Sequence, residues 1–289
     1  MTQPPAVTAA IRRYYEQNTR LFLAFGQPPT DTIHRALWAE GITTHRAALN
    51  YSNELLWQAL REVVQRDAPA PVRLIDLGCG VGGSLFYLLT RVARPALALG
   101  CTLSPAQARL AAHRAQRLQL PHPVGFVEAD FHWAPAAAGA DLVYSVEAFG
   151  HAADPDQYFA TAARLLRPGG RLILCDDFRA RPDAALAARA RRWVAAYQAG
   201  WQIPNLQTVD AVTAGAEAHG LRLISGRDLT ALIRLRAWPD ALAELALALG
   251  WRLPSGHAFI PSMVGSLALQ QCLRAGWVAY HFLIFEKPA

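Results

Sequence analysis

An α/β architecture, with a mostly parallel sheet covered by helices on both faces, is predicted by three observations. Apolar strand-like runs alternate with amphipathic helical stretches over residues 72–177, the order that buries a parallel sheet between two helical layers. The first of those runs, VRLIDL, opens into a glycine-rich turn, GCGVGG, ahead of a helix. The chain also finishes on two strand-like segments separated by helical sequence, which suits an antiparallel edge on the same sheet.

Taken in order, residues 1–70 read as a helical cap. IRRYYEQNTRLFLAFG is amphipathic and stops at Gly26, and THRAALNYSNELLWQALREVVQR repeats apolar residues at helical spacing. The prolines Pro69 and Pro71 break that pattern. Strands follow at 72–77, 97–101, 124–128, 141–145 and 171–176, with helices at about 82–92, 105–118 and 155–166 between them. Ser104 and Pro105 read as the cap and first residue of the second of these helices. Beyond Asp177 come a helix at 184–200, a helix at about 208–219 and a strand at 221–227. A helical insert at about 238–250, a Gly/Pro/Ser-rich loop at 252–266, a further helix and a terminal strand at 278–286 complete a seven-stranded sheet. The chain thus divides into a cap at 1–70 and one domain at 71–289 with an insert over about 230–277.

With 53% hydrophobic and 17% charged residues, the chain buries a sizeable core and is neither disordered nor fibrous. Its net charge of +6 is almost wholly arginine, since Lys287 is the single lysine. A GC-rich genome accounts for much of that bias, but arginine also forks around phosphate and carboxylate. Arg12, Arg13, Arg20, His34, Arg35, His45 and Arg46 crowd the cap, where they suit an anionic partner. No basic run interleaves with aromatics, so nucleic acid is not the expected partner. Cys79, Cys101, Cys175 and Cys272 lack metal or redox spacing, and neither an export signal nor a membrane span is legible. A reducing cytoplasm is the expected compartment, with peripheral membrane contact and homo-oligomer formation left open.

Glycines at a strand-to-helix turn let the backbone approach a ligand closely, and the helix start offers free N–H groups. Gly78, Gly80 and Gly83 also satisfy the GxGxxG spacing of a nicotinamide site. Such a site needs an acidic residue or an arginine for the ribose end, whereas the second strand runs into Gly100-Cys101-Thr102-Leu103-Ser104-Pro105 with neither. Four segments in order, DLGCGVGG, VEADF (127–131), DLVYSVEAFGH (141–151) and LLRPGGRLILCDDF (165–178), make the chain resemble the Rossmann-like, class I S-adenosylmethionine-dependent methyltransferases. The stretch TLSPAQ is similar to the branch holding cyclopropane-fatty-acid synthases and the tocopherol, sterol and prenyl-diphosphate C-methyltransferases.

That resemblance implies S-adenosylmethionine as cofactor. Gly78, Cys79 and Gly80 would lie against its methionine part, with Asp76 steadying the loop. Thr102, Leu103 and Gln107 would meet the ribose and adenine edge, and Asp130 with Phe131 the adenine amine and ring. Tyr15 and Thr19, one helical turn apart, would cover the cofactor from the cap, with Ser145 at the end of the fourth strand beside it. Glu147 and His151 follow at the carboxyl end of the sheet, where ligands bind in such folds. Glu147 is expected as base or cation stabiliser, with His151 as its partner or a cofactor contact. Phe149, Trp193, Tyr197 and Trp201 are expected to wall the acceptor pocket. The histidines lack zinc spacing, and Asp176 with Asp177 lacks the later Asp-Asn pattern of catechol-type methyltransferases, so no metal site is expected.

The implied activity is methyl transfer to a lipophilic small molecule, foremost carbon methylation of an isoprenoid alkene, with a prenyl diphosphate as one form of acceptor. O- or N-methylation of a hydrophobic natural product is the alternative within the class. A nicotinamide oxidoreductase or a non-methylating cyclase that binds the same cofactor are the alternatives outside it.

Overall fold

The computed structural model describes residues 5–25, 34–66, 71–236, 239–250 and 259–289. The expected helix stop at Gly26, the break at Pro69 and the 252–258 part of the expected loop lie outside the described residues, as does the side chain of Arg20.

Helix α1 (Pro5–Phe25) comes first, then α2 (His45–Leu49) and α3 (Tyr51–Gln65). The helix expected to run unbroken through this second stretch is interrupted at Asn50, whose backbone leaves helical geometry with φ −95° and ψ 2°. The alternating core is β1 (Val72–Leu77), α4 (Gly83–Leu89), β2 (Ala96–Thr102), α5 (Pro105–Leu118), β3 (Val124–Glu128), β4 (Ala140–Val146), α6 (Pro155–Leu165) and β5 (Leu166–Arg179). Next come α7 (Ala188–Trp201), α8 (Val209–Ala218), β6 (Arg222–Asp228), α9 (Asp240–Gly250), α10 (Phe259–Arg274) and β7 (Val278–Glu286). The expected 252–266 loop is therefore helical from Phe259 onward. Helix α7 starts later than expected, because 183–185 forms a separate 3₁₀ turn.

The seven strands form one sheet in the order β3-β2-β1-β4-β5-β7-β6. β1 to β5 pair in parallel, and β7 enters antiparallel between β5 and β6. Alternate strand residues feed opposite faces, as the two-residue period of a strand demands. Leu74, Leu142, Tyr144, Ile173, Tyr280 and Phe282 pack with Leu56 and Leu60 of α3 and with Leu85 and Leu88 of α4. Ile75, Val143, Leu172, Leu174, Leu283 and Phe285 pack on the other face against Tyr158, Phe159 and Leu165 of α6 and Val212 of α8. α3 is thus a layer of the sheet. A third cluster joins α7, α9 and α10 through Trp193, Tyr197, Leu247, Ala268 and Cys272.

Candidate active site

β1 ends at Leu77, and the backbone N–H groups of Gly78 and Cys79 both donate to the Cys101 carbonyl at the end of β2. This hook draws the glycine loop across the carboxyl end of the sheet. Gly78 has a φ of +111°, and a β-carbon there would stand 2.4 Å from the Ala148 β-carbon, so only glycine brings the loop this close to the turn after β4. At Gly80, with φ +52°, a β-carbon would meet nothing within 4 Å: the backbone faces open space.

That space belongs to a cavity of about 470 Å³ at the carboxyl ends of β1, β2, β4 and β5. Of the residues expected from sequence, Tyr15, Asp76, Gly78, Cys79, Gly80, Thr102, Leu103, Gln107, Phe131, Glu147, His151, Tyr197 and Trp201 line it. Five others stand behind the wall. Ser145 is wholly buried, donating to the Leu77 carbonyl at 2.6 Å and accepting from Tyr158 at 2.7 Å, so it braces the loop from below. Asp130 caps the following 3₁₀ turn and accepts from the backbone N–H and Nδ1 of His132 at 3.0 and 2.5 Å. Phe149 is folded into the core beside Tyr158, Phe159 and Phe178. Trp193 turns to α9, where its indole N–H donates to Glu244 at 3.0 Å. Thr19 donates to the Tyr15 carbonyl and accepts from Gln107, whose Oε1 accepts from Thr102. Those hydrogen bonds tie α1 to the end of β2, where Ser104 caps α5 and Pro105 occupies its first turn.

The carboxyl ends of β4 and β5 carry the ionisable groups. Glu147 has a φ of +53°, a left-handed conformation that costs a non-glycine residue about 1–3 kcal/mol and persists only where surrounding contacts impose it. Its N–H donates to the Cys175 carbonyl, and its Oε1 accepts from the Arg35 backbone N–H and the Tyr280 hydroxyl, both at 2.9 Å. The Arg35 guanidinium forks onto Asp177 at 2.6 and 2.8 Å and lies 4.4 Å from the centre of the Tyr280 ring. The Tyr197 hydroxyl also donates to Asp177, at 2.6 Å. Asp176 accepts from the N–H groups of Gly150 and Asp177; burial, reinforced by the neighbouring Asp177, pushes its carboxyl up to about 7. Burial likewise pushes Asp76 up to about 8.

His151 is not the partner of Glu147. Its Nδ1 faces the Gln202 carbonyl at 2.9 Å, which only accepts, so that nitrogen carries the proton and Nε2 accepts from the Tyr15 hydroxyl at 2.6 Å. Burial holds the ring down to about 4 and therefore neutral. His151 thus locks α1 over the cavity. Of the cap arginines, Arg12 pairs on the surface with Glu16 and Glu128, Arg46 is exposed, and Arg35 alone among those described lines the cavity.

Arg35, Asp177 and Tyr280 are the site residues that sequence reasoning did not single out as such. The paired acids at a strand end were a visible signal for Asp177. Tyr280, in a terminal strand, carried none.

Residues 75–174 match the model of a methyltransferase-domain family. The chain is 27% identical over 225 residues to the chloroplastic tocopherol O-methyltransferase of Arabidopsis thaliana, a match covering 75% of this chain and 63%, less than two thirds, of that relative. The cyclopropane synthase of Mycobacterium tuberculosis superimposes with a TM-score of 0.74 at 17% identity, covering 97% of this chain and 98% of that one. Geranyl diphosphate C-methyltransferase from Streptomyces coelicolor does so with a TM-score of 0.68 at 19% identity, covering 99% and 100%. At those identities the two structures share the fold.

Glycine loop, sheet order and family match together give residues 75–174 the form of a Rossmann-like methyltransferase domain. The cavity fits the cofactor: it has an open backbone cradle at Gly80, polar groups at Thr102 and Gln107, and the Phe131 ring. Among the described residues no group of three or more His, Cys, Asp or Glu is placed to hold a metal ion, and no helix is long and apolar enough to cross a membrane.

Proposed function

We propose that this protein methylates a lipophilic small molecule, with an isoprenoid alkene carbon as the acceptor and Glu147 as the group that faces the resulting cation and takes its proton. S-adenosylmethionine, when bound, supplies a sulfonium methyl for in-line displacement. Gly78, Cys79, Gly80, Thr102, Leu103, Gln107 and Phe131 would hold it, with Tyr15 closing over it from α1. The chain's remaining task is to align the acceptor and exclude water. Ile11, Leu49, Trp201, Ile203 and Leu269 supply apolar wall for that purpose.

The observation that carries the reading is the anchoring of Glu147. Two donors from distant elements converge on Oε1 and hold the carboxylate in a strained turn at the cavity. Oε2 is then the oxygen that receives the proton. Alkylation of an alkene leaves a positive carbon, and a fixed carboxylate both stabilises it and removes the adjacent proton.

The experiment is incubation with methyl-labelled cofactor and a panel of prenyl and terpenoid alkenes, followed by product analysis. Label on carbon, loss of turnover in Glu147→Gln and nearly intact binding of S-adenosylhomocysteine by that variant are expected. Full turnover in Glu147→Gln would remove the base role. Label on oxygen or nitrogen would establish the second reading, which the likeness to a tocopherol O-methyltransferase favours.

A further inference from the structure

We propose that the acceptor is uncharged in its ground state and that the cavity rejects prenyl diphosphates. The inference rests on the methyl-transfer reading and adds the class of head group the site accepts. Among the described residues lining the cavity, the acids Asp76, Asp176, Asp177 and Glu147 face one guanidinium, Arg35, and since burial pushes the carboxyls of Asp76 and Asp176 up, Glu147 and the Arg35-paired Asp177 carry most of the negative charge. Arg35 is already committed: both of its terminal nitrogens are bonded to Asp177, and its plane rests beside the Tyr280 ring.

A diphosphate that captured Arg35 would strip Asp177, a side chain only 4% exposed, of its cation. Breaking one partner out of a buried pair is strongly unfavourable, because the remaining charge stays desolvated. The diphosphate would also enter beside Glu147, where like charges repel in a poorly solvated site. Three histidines line the cavity; His45 is exposed at its rim beside Trp38, and the other two do not offset this. Burial holds both His34 and His151 below the ordinary histidine value, so neither adds positive charge at neutral pH. The same field that repels an anion favours a carbon that becomes positive during methyl transfer. Glu147 thus both disfavours an anionic head group and serves the chemistry.

The test is isothermal titration of the full chain, loaded with S-adenosylhomocysteine, with three ligands sharing one ten-carbon prenyl chain: the alcohol, its acetate and its diphosphate. Each titration is run with and without Mg²⁺, since a divalent ion bridging onto the carboxylates is the route by which a diphosphate would bind. The uncharged ligands are expected to bind more tightly than the diphosphate by about tenfold or more. Glu147→Gln, which removes one negative charge, narrows that preference. A diphosphate that binds as tightly as the alcohol, in either buffer, overturns the proposal, and so does binding of none of the three. Titration with S-adenosylhomocysteine alone reports separately on the methyl-transfer reading, which fails if the cofactor product does not bind.

Discussion

The glycine loop makes two demands that a pair of alanine substitutions separates. In Gly78→Ala the new β-carbon lies 2.4 Å from the Ala148 β-carbon, against an optimum of about 3.5–4.0 Å between carbons. Neither methyl has a rotamer to escape into, so the loop or the turn carrying Glu147 must move by about 1 Å or more. Overpacking of this kind costs about 1–3 kcal/mol. The unfavourable φ of +111° adds about 1–2 kcal/mol, for a total of about 2–5 kcal/mol. Gly80→Ala incurs only the conformational cost, about 1–2 kcal/mol, because its β-carbon meets no protein atom within 4 Å. That carbon instead occupies the space assigned to the cofactor. Urea unfolding should therefore show the larger loss in Gly78→Ala. Calorimetry should show Gly80→Ala losing about tenfold or more in S-adenosylhomocysteine affinity, the equivalent of an overpacking cost of about 1–3 kcal/mol. Wild-type affinity in Gly80→Ala would refute the placement of the cofactor over this loop.

Tyr280→Phe removes one of the two donors to Glu147 Oε1. A hydrogen bond to a charged group contributes about 1.5–3 kcal/mol, so turnover should fall about tenfold or more while cofactor affinity holds. An unchanged kcat with a raised KM would show that Tyr280 touches the acceptor and does not position the carboxylate. Stability should also depend on pH with a defined sign. Asp76 and Asp176 titrate near 8 and 7 when folded and at 3.8 when unfolded, so the folded chain holds extra protons between those values and stability falls as pH rises through that window. His151, at about 4 folded and 6.5 unfolded, acts in the opposite direction between 4 and 6.5. From pH 6.5 to 8 the two carboxylates dominate, and the free protein should lose about 1 kcal/mol per pH unit, a slope that Asp76→Asn flattens. A rise in unfolding midpoint over that range would refute the assignment.

The short-range features were legible because their causes are local. β1, β3 and β7 match the ranges read from apolar runs, and α5 starts where Ser104-Pro105 places it, since period and capping are properties of a few consecutive residues. Glu147 and the glycine turn could be placed at the carboxyl end of the sheet for the same reason. The aromatic stripe of α7 shows where local spacing fails: each four-residue step advances about 40° around a helix, so Trp193 and Trp201 stand about 80° apart, at opposite edges of one broad face, and meet different neighbours. Tyr197 and Trp201 meet the cavity while Trp193 meets Glu244 on α9.

What only the tertiary structure decided is the company Glu147 keeps. Arg35 is 112 residues away in the chain and Tyr280 133 away. They converge because β7 inserts antiparallel beside β5 with Tyr280 opposite Asp177, and because the segment carrying Arg35 lies across that strand end. Register and segment docking are set by burial of whole faces, which no window of sequence contains. The sequence by itself therefore determined the Rossmann-like fold and the end of the sheet at which the glycine loop and Glu147 lie. Packing turned one arginine of a basic cap from an anion anchor into the clamp that fixes the carboxylates.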